Sequence, residues 1–306
     1  MSTTPPYRFK TITEYCRLAH LPAPAHPLIS VIDLAALGPL PDYEPISVVA
    51  DFYFISLKRG FPGKLHYGQQ DYDFDEGVLS FMAPNQVLNI ALAAGGQRHQ
   101  AGWMLVLHPD FLWNTPLAQK IKQYEYFSYA TNEALHLSEQ EERKLTAIVQ
   151  NIEQEYQGNM DKFSQDVIIA QLDVLLTYSE RFYERQFLTR KIQNHQLLQR
   201  LEAVLAAYFD HEDLATTGLP TVQYVADKLN VSPNYLSSML KVLTGQSTQQ
   251  HIHNKLIEKA KVQLSTTNLS VSEIAYVLGF EHPQSFSRLF KTKTALSPLE
   301  FRQSFN

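Results

Sequence analysis

The chain has 306 residues, 44% hydrophobic and 19% charged, and a formal net charge of −5. That length accommodates two ordinary domains, and sixteen Tyr with seventeen Phe exclude a disordered chain. A single cysteine, Cys16, excludes both an internal disulfide framework and a CxxC metal site.

Residues 1–45 are rich in Pro (TTPPY, LPAPAHP, LGPLPDYEP), which disfavours helix interiors and central strands, so an irregular segment is expected. From about residue 45 to Trp113 the texture is short aromatic or β-branched runs: SVVADFYFISLKR, KLHYGQQDYDF, GVLSFMAP, QVLNIALA and GWMLVLHP. Turn residues separate them, and the pattern predicts an antiparallel all-β unit, a sandwich or small barrel. Beyond Trp113 helical spacing takes over. Leu145, Ile148, Val149 and Ile152 share one face, and Ser138 with Glu141 forms a capping box. A second long helix is apolar at Val167, Ile168, Leu172, Leu175 and Leu176, and the stripe Ile168, Leu172, Leu175 and Leu176 asks for a partner. LLQRLEAVLAAYF is a further helix, and HEDLATTGLP marks a break.

The C-terminal stretch contains an internal repeat. TVQYVADKLNVSPNYLSSMLKVLTGQS (221–247) aligns with SVSEIAYVLGFEHPQSFSRLFKTKTALS (270–297). Val225-Ala226 and Leu229 match Ile274-Ala275 and Leu278 at a spacing of 49; Leu236-Ser237, Leu240-Lys241 and Ser247 match Phe286-Ser287, Phe290-Lys291 and Ser297 at 50. Each copy reads as a short helix, a turn and a second helix. Thr221 and Ser270 stand at N-cap positions, Asn230 and Gly279 at the left-handed C-terminal position, and Pro233 and Pro283 at the first residue of the second helix. The Ala226/Ala275 and Leu236/Phe286 pairs would pack the two helices across the turn, which is helix-turn-helix grammar. Between the copies, STQQHIHNKLIEKAKVQLS predicts one helix of about 17 residues, roughly 25 Å long. Such a rod can hold two helices near the ~34 Å spacing of successive DNA turns. The charge is polarised in the same sense. From Thr221 to Asn306 nine Lys/Arg oppose five Asp/Glu, which makes that segment +4 and the remainder −9.

EIAYVLGFEHPQSFSRLFK, then TALSPLEFR, with VADKLNVSPNYLSSMLKVLTG and EKAKVQL upstream, resemble the DNA-binding domain of AraC/XylS-family transcription regulators. The resemblance spans about a hundred residues, Leu197 to Phe305, with two departures. Ala295 stands where that family usually has Gly. Leu256 stands where its linker helix often has Arg. The resemblance implies an α+β multidomain chain: an N-terminal all-β cupin-like sensory barrel (1–120), a helical dimerisation and linker region (121–195), and an all-α double helix-turn-helix domain (196–306). It implies two recognition helices, about 233–243 and 283–293, in the major groove of double-stranded DNA. Asn234, Ser237 and Ser238 take the base-reading positions of the first unit, and Gln284, Ser285 and Arg288 those of the second. Lys241 and Lys291 fall a turn further on, suited to phosphates. Gln pairs with adenine and Arg with guanine O6/N7, and the first set lacks a cation, so the second unit carries more of the base readout.

A small-molecule effector, a homodimer and RNA polymerase complete the expected partners, with no cofactor and no membrane association. No apolar run reaches the ~18 residues of a membrane span. MSTTPPYRFKTITEY lacks the pattern of a secretion signal, so a cytoplasmic protein is expected. The rival reading is a metal-dependent cupin enzyme fused to a DNA-binding tail. It needs convergent His and carboxylate ligands. His66, His99 and His108 include no HxH in the barrel region, and His251 and His253 lie two apart on a helix, facing away from each other. An architectural DNA-bending protein would be strongly basic overall, which this chain is not. A non-enzymatic regulator is therefore expected.

Overall fold

The computed structural model describes residues 6–37, 46–59, 77–90, 101–130, 133–189, 191–211 and 213–304. The chain divides into two compact units, Met1–Gln186 and Phe187–Asn306.

The first unit contains β1 (Tyr7–Phe9), α1 (Ile12–Leu18), β2 (Ile29–Asp33), β3 (Ile46–Ala50), β4 (Tyr53–Arg59), β5 (Val78–Met82), β6 (Val87–Ile90) and β7 (Ala101–Leu107). α2 (Leu117–Lys120), β8 (Leu135–His136), α3 (Glu139–Gln157) and α4 (Ser164–Thr189) follow. One sheet has the order β2-β7-β4-β5-β8 and is antiparallel throughout. The other has the order β1-β3-β6, with β1 parallel to β3 and β3 antiparallel to β6. Among the described residues no ladder joins them, so two sheets are seen and no closed barrel is shown. The chain crosses between the sheets at two points. The run SVVADFYFISLKR is two strands in different sheets, broken at Asp51-Phe52, and β5 passes to β6 through a turn in which Asn85 is left-handed (φ 66°). Arg8 ties the crossings together, pairing with Asp51 and donating to Asn85 Oδ1 at 2.6 Å.

Strand alternation gives the five-stranded sheet two apolar faces. Ile32, Phe54, Met104 and Val106 join Phe9, Ile12, Cys16 and Phe52 in one core cluster. Leu57 and Trp103 belong to the opposite face, toward α3, where Trp103 Nε1 donates to Thr146 Oγ1 at 3.0 Å. The Val31 N–H likewise donates to the Tyr156 hydroxyl at 2.8 Å.

Two expectations are corrected here. Residues 1–45 are not irregular throughout. Thr11 and Glu14 form a capping box that starts α1, and Pro22, Pro24 and Pro27 sit between α1 and β2 rather than inside either. Proline density there marks the ends of elements, not their absence. The α4 stripe is also reassigned: Ile168, Leu172, Leu175 and Leu176 are fully buried within the chain, while Val167 is 42% exposed. The runs KLHYGQQDYDF, with Tyr67, Tyr72 and Phe74, and the positions His66 and His99 lie outside the described residues.

The second unit is helical among its described residues: α5 (Lys191–His211), α6 (Leu214–Thr217), α7 (Val222–Leu229), α8 (Pro233–Thr244), α9 (Thr248–Thr266), α10 (Val271–Val277), α11 (Pro283–Thr294) and α12 (Pro298–Gln303). α9 is the central rod, 19 residues long, or about 28 Å. Its buried residues Ile252, Leu256, Ile257, Ala260 and Leu264 form the seam of a rod against which α5, α8, α10, α11 and α12 pack. The stretch 211–220 is part of this unit. α6 buries Leu214, and the Tyr208 hydroxyl donates to the Gly218 carbonyl at 3.2 Å.

Candidate nucleic-acid interface

The two helix-turn-helix copies share the hydrogen bonds that start and close their first helices, although Ser232 caps α8 with its hydroxyl and His282 makes no such bond to α11. Thr221 accepts from the Tyr224 N–H, and Ser270 accepts from the Glu273 N–H, which starts α7 and α10. Asn230 (φ 57°) and Gly279 (φ 82°) turn the chain with left-handed backbone. The Val231 N–H reaches the Ala226 carbonyl at 3.1 Å, and the Phe280 N–H reaches the Ala275 carbonyl at 3.0 Å. These are the 6→1 bonds that close a helix C-terminus. Ala226, Ala275, Leu236 and Phe286 are completely buried, and the small Ala lets each second helix approach. Pro233 and Pro283 are the first residues of α8 and α11. α8 and α11 end at matching left-handed residues, Gly245 (φ 72°) and Ala295 (φ 64°).

The polar rows of α8 and α11 differ in how far they are engaged. On α11, Gln284, Ser285, Arg288 and Lys291 are all exposed. Their spacing of one, three and three residues keeps them on one side of the helix. On α8, Asn234 and Lys241 are exposed, while Ser237 and Ser238 are half-buried. The Ser237 hydroxyl lies 2.9 Å from that of Thr248, a buried residue at the start of α9. Ser237 is thus tied to the rod, a contact that spacing alone does not reveal.

α9 also holds the ends of both second helices, through groups that sequence reasoning missed. His251 Nε2 is 2.9 Å from Thr244 Oγ1 at the end of α8. Asn254 donates to Gln246 Oε1 at 2.7 Å and accepts from Lys293 Nζ, near the end of α11, at 3.0 Å. Burial lowers the pKa values of His251 and His253, with Lys293 a smaller contributor in the same direction. The Glu202 carboxylate opposes the shift at His251, and His253 bonds along its own helix to Gln249. Leu256, at the position where an Arg was wanted, is wholly buried, so it reaches no phosphate; its neighbour Lys255 pairs with Glu258 at 3.3 Å. His108 accepts from the Asp110 N–H and caps the turn Pro109–Leu112. Among the described residues no His, Cys, Asp or Glu cluster could hold a metal ion, and no helix is long and apolar enough to cross a membrane.

Residues 225–304, from the first short helix through α12, match a family model described as a helix-turn-helix domain. The chain is 33% identical over 141 residues to the transcriptional activator RhaS of Enterobacter sp. strain 638, covering 46% of each chain. It is 30% identical over 120 residues to the arabinose operon regulatory protein of Escherichia coli K12, covering 35% of this chain and 40% of that one. The C-terminal unit carries a helix-turn-helix domain. The chain is also 31% identical over 111 residues to the uncharacterized HTH-type transcriptional regulator YijO of E. coli K12, covering 36% of this chain and 39% of that protein. Among solved structures, the C-terminal domain of the response regulator yesN from Fusobacterium nucleatum is 30% identical, covering 33% of this chain and 96% of that one, at a TM-score of 0.29. The chain spans less than half the length of these three curated relatives.

Proposed function

We propose that the chain is a sequence-specific DNA-binding transcription regulator of the AraC type, responsive to a small molecule and active as a homodimer. In this reading α8 and α11 are its recognition helices, laid in the major groove of double-stranded DNA. The observation that carries it is the exposed row Gln284, Ser285, Arg288 and Lys291 on α11. Among the described residues no hydrogen bond or ion pair engages the Arg288 guanidinium. A planar fork held open on a helix face suits two acceptors on one guanine edge. Asn234 and Ser238 read bases from α8, Lys241 and Lys291 meet phosphates, and Ser237 positions α8 on α9. The relatives' names support regulation: one is an activator, another an operon regulatory protein. RNA polymerase is the protein partner such a regulator would engage, and a DNA target implies a cytoplasmic setting.

The dimer contact belongs to the face of α4 opposite the buried stripe. Phe163, Val167 and Val174 are 57%, 42% and 44% exposed. In an antiparallel copy crossing at Ala170-Gln171, Val167 and Val174 exchange places, the self-complementarity that a two-fold contact requires. The function is tested by selecting duplexes from a random pool and comparing selected with random sequence across salt. Strong preference with a steep salt dependence is expected, log K falling by about 0.9 per phosphate contact per log unit of salt. Equal affinity for both pools refutes the reading.

A further inference from the structure

We infer that the cleft between α3 and the β2-β7-β4 side of the five-stranded sheet binds a small organic cation, which is the chain's effector. The effector role rests on the sensory reading of the first unit; the site itself rests on chemistry. The cleft has a volume of about 350 Å³, within the ~300–1,000 Å³ range of small-molecule sites. It lies on the helix side of the sheet, away from the core cluster that fills the space between the two sheets. Val31 and Ala101 supply accessible apolar wall over a floor of Leu57, Trp103 and Val149, which are themselves buried.

Four charged side chains line it: Asp33, Arg59, Glu142 and Glu153. Two of them cancel. Glu142 is only 5% exposed, pairs with Arg59, and is backed by Gly77, where a Cβ would meet its Oε2 at 2.5 Å. A buried carboxylate matched in this way adds no net charge to the cleft. Asp33 and Glu153 remain. Among the described residues Asp33 accepts from the Ala35 N–H, and Glu153 from the Gln157 amide at 3.0 Å. Among the described residues neither meets a cation, so two carboxylates unmatched among those residues stand beside an indole. A protonated amine with an apolar body satisfies both features: its charge meets the carboxylates, and its body covers Val31 and Ala101 beside the indole. An anion of the same shape is repelled.

The test uses the full chain carrying Trp113→Phe. Trp113 is 73% exposed and lines no part of the cleft, and its removal leaves Trp103 as the only Trp. Trp103 emission is followed on addition of ethylammonium, phenethylammonium or agmatine, and of 2-phenylethanol and 3-phenylpropionate as neutral and anionic counterparts. A saturable response to at least one cation is expected, with the counterparts at least about tenfold weaker. Asp33→Asn with Glu153→Gln should weaken the cation by a similar factor while leaving the emission of the free protein in place. No saturable response to any of the three cations at millimolar concentration overturns the assignment. So does equal binding of the anion, or a response unchanged by the double substitution. Duplex selectivity is measured on the same preparation without any amine, so failure of the regulator reading registers separately.

Discussion

Ala295 holds a left-handed backbone, φ 64°, at the position where the first copy uses Gly245. A Cβ costs about 1 kcal/mol in that conformation. Ala295→Gly should therefore raise the stability of the C-terminal unit by roughly that amount, and Gly245→Ala should lower it similarly, since nothing lies within 4 Å of a Cβ there. Thermal unfolding of the two variants checks the pair, and shifts of the same sign would contradict the account. Gly279 is under a second constraint. It too is left-handed, and a Cβ would come within 2.5 Å of the Leu214 carbonyl oxygen in α6. Gly279→Ala should cost more than Gly245→Ala, roughly 2–4 kcal/mol, because overpacking against backbone adds to the conformational cost. The turn roles of Gly279 and Asn230 were legible in the sequence, because few residues tolerate positive φ. The Leu214 contact was not, since it joins positions 65 apart that share no pattern. Ser237 shows the same limit: its spacing suits base reading, yet its hydroxyl meets Thr248.

Helices announced themselves where a cap and an apolar face agreed. The Ser138/Glu141 box, the N-caps at Thr221 and Ser270 and the proline starts of α8 and α11 all stand in the structure. Elements failed to announce themselves where a cue had two meanings. Proline density hid α1 and β2, although Thr11 and Glu14 already spelled a capping box. α4 is apolar on two faces, so its sequence did not say which face the chain would bury. Sheet membership was invisible as well, because β3 and β4 read as one continuous run. The capping boxes carry a pH signature. Hydrogen bonds from the Ser270 hydroxyl and N–H hold the Glu273 carboxyl below its ordinary range, and the Ser297 N–H and hydroxyl do the same for Glu300. A carboxyl whose folded pKa is depressed adds stability that is present above its unfolded value, about 4.3, and is lost as pH falls through the folded value. Glu273→Gln keeps the hydrogen bond but removes the charge. Its unfolding midpoint should therefore depend less steeply on pH below about 5 than that of the parent chain. Parallel pH profiles would show that the box carries no charge-linked stability.

At the scale of the whole molecule the charge division remains the strongest cue: a −9 body joined to a +4 C-terminal segment. The internal repeat made the C-terminal domain readable because each copy repeats its cap, turn and buried pair. The first unit has no such repeat, and its two-sheet arrangement depends on non-local pairings such as β1 with β3, about forty residues apart. If α4 pairs with a second copy, Val167→Glu with Val174→Glu should turn a dimeric chain into a monomer in sedimentation. Both positions are exposed, so the fold should survive. A parent chain that is monomeric at tens of micromolar, or a variant that stays dimeric, would contradict that contact. The central claim is that α11 reads bases, and it is tested most directly by Arg288→Ala beside Lys291→Ala, each titrated with a selected duplex and all its single-base variants. Arg288→Ala should lower specific affinity by roughly 1–3 kcal/mol and relax preference at one base position, whereas Lys291→Ala should weaken every sequence alike and reduce the salt slope by about one. Uniform loss in both variants would make Arg288 a phosphate contact and contradict the assignment of base readout to α11.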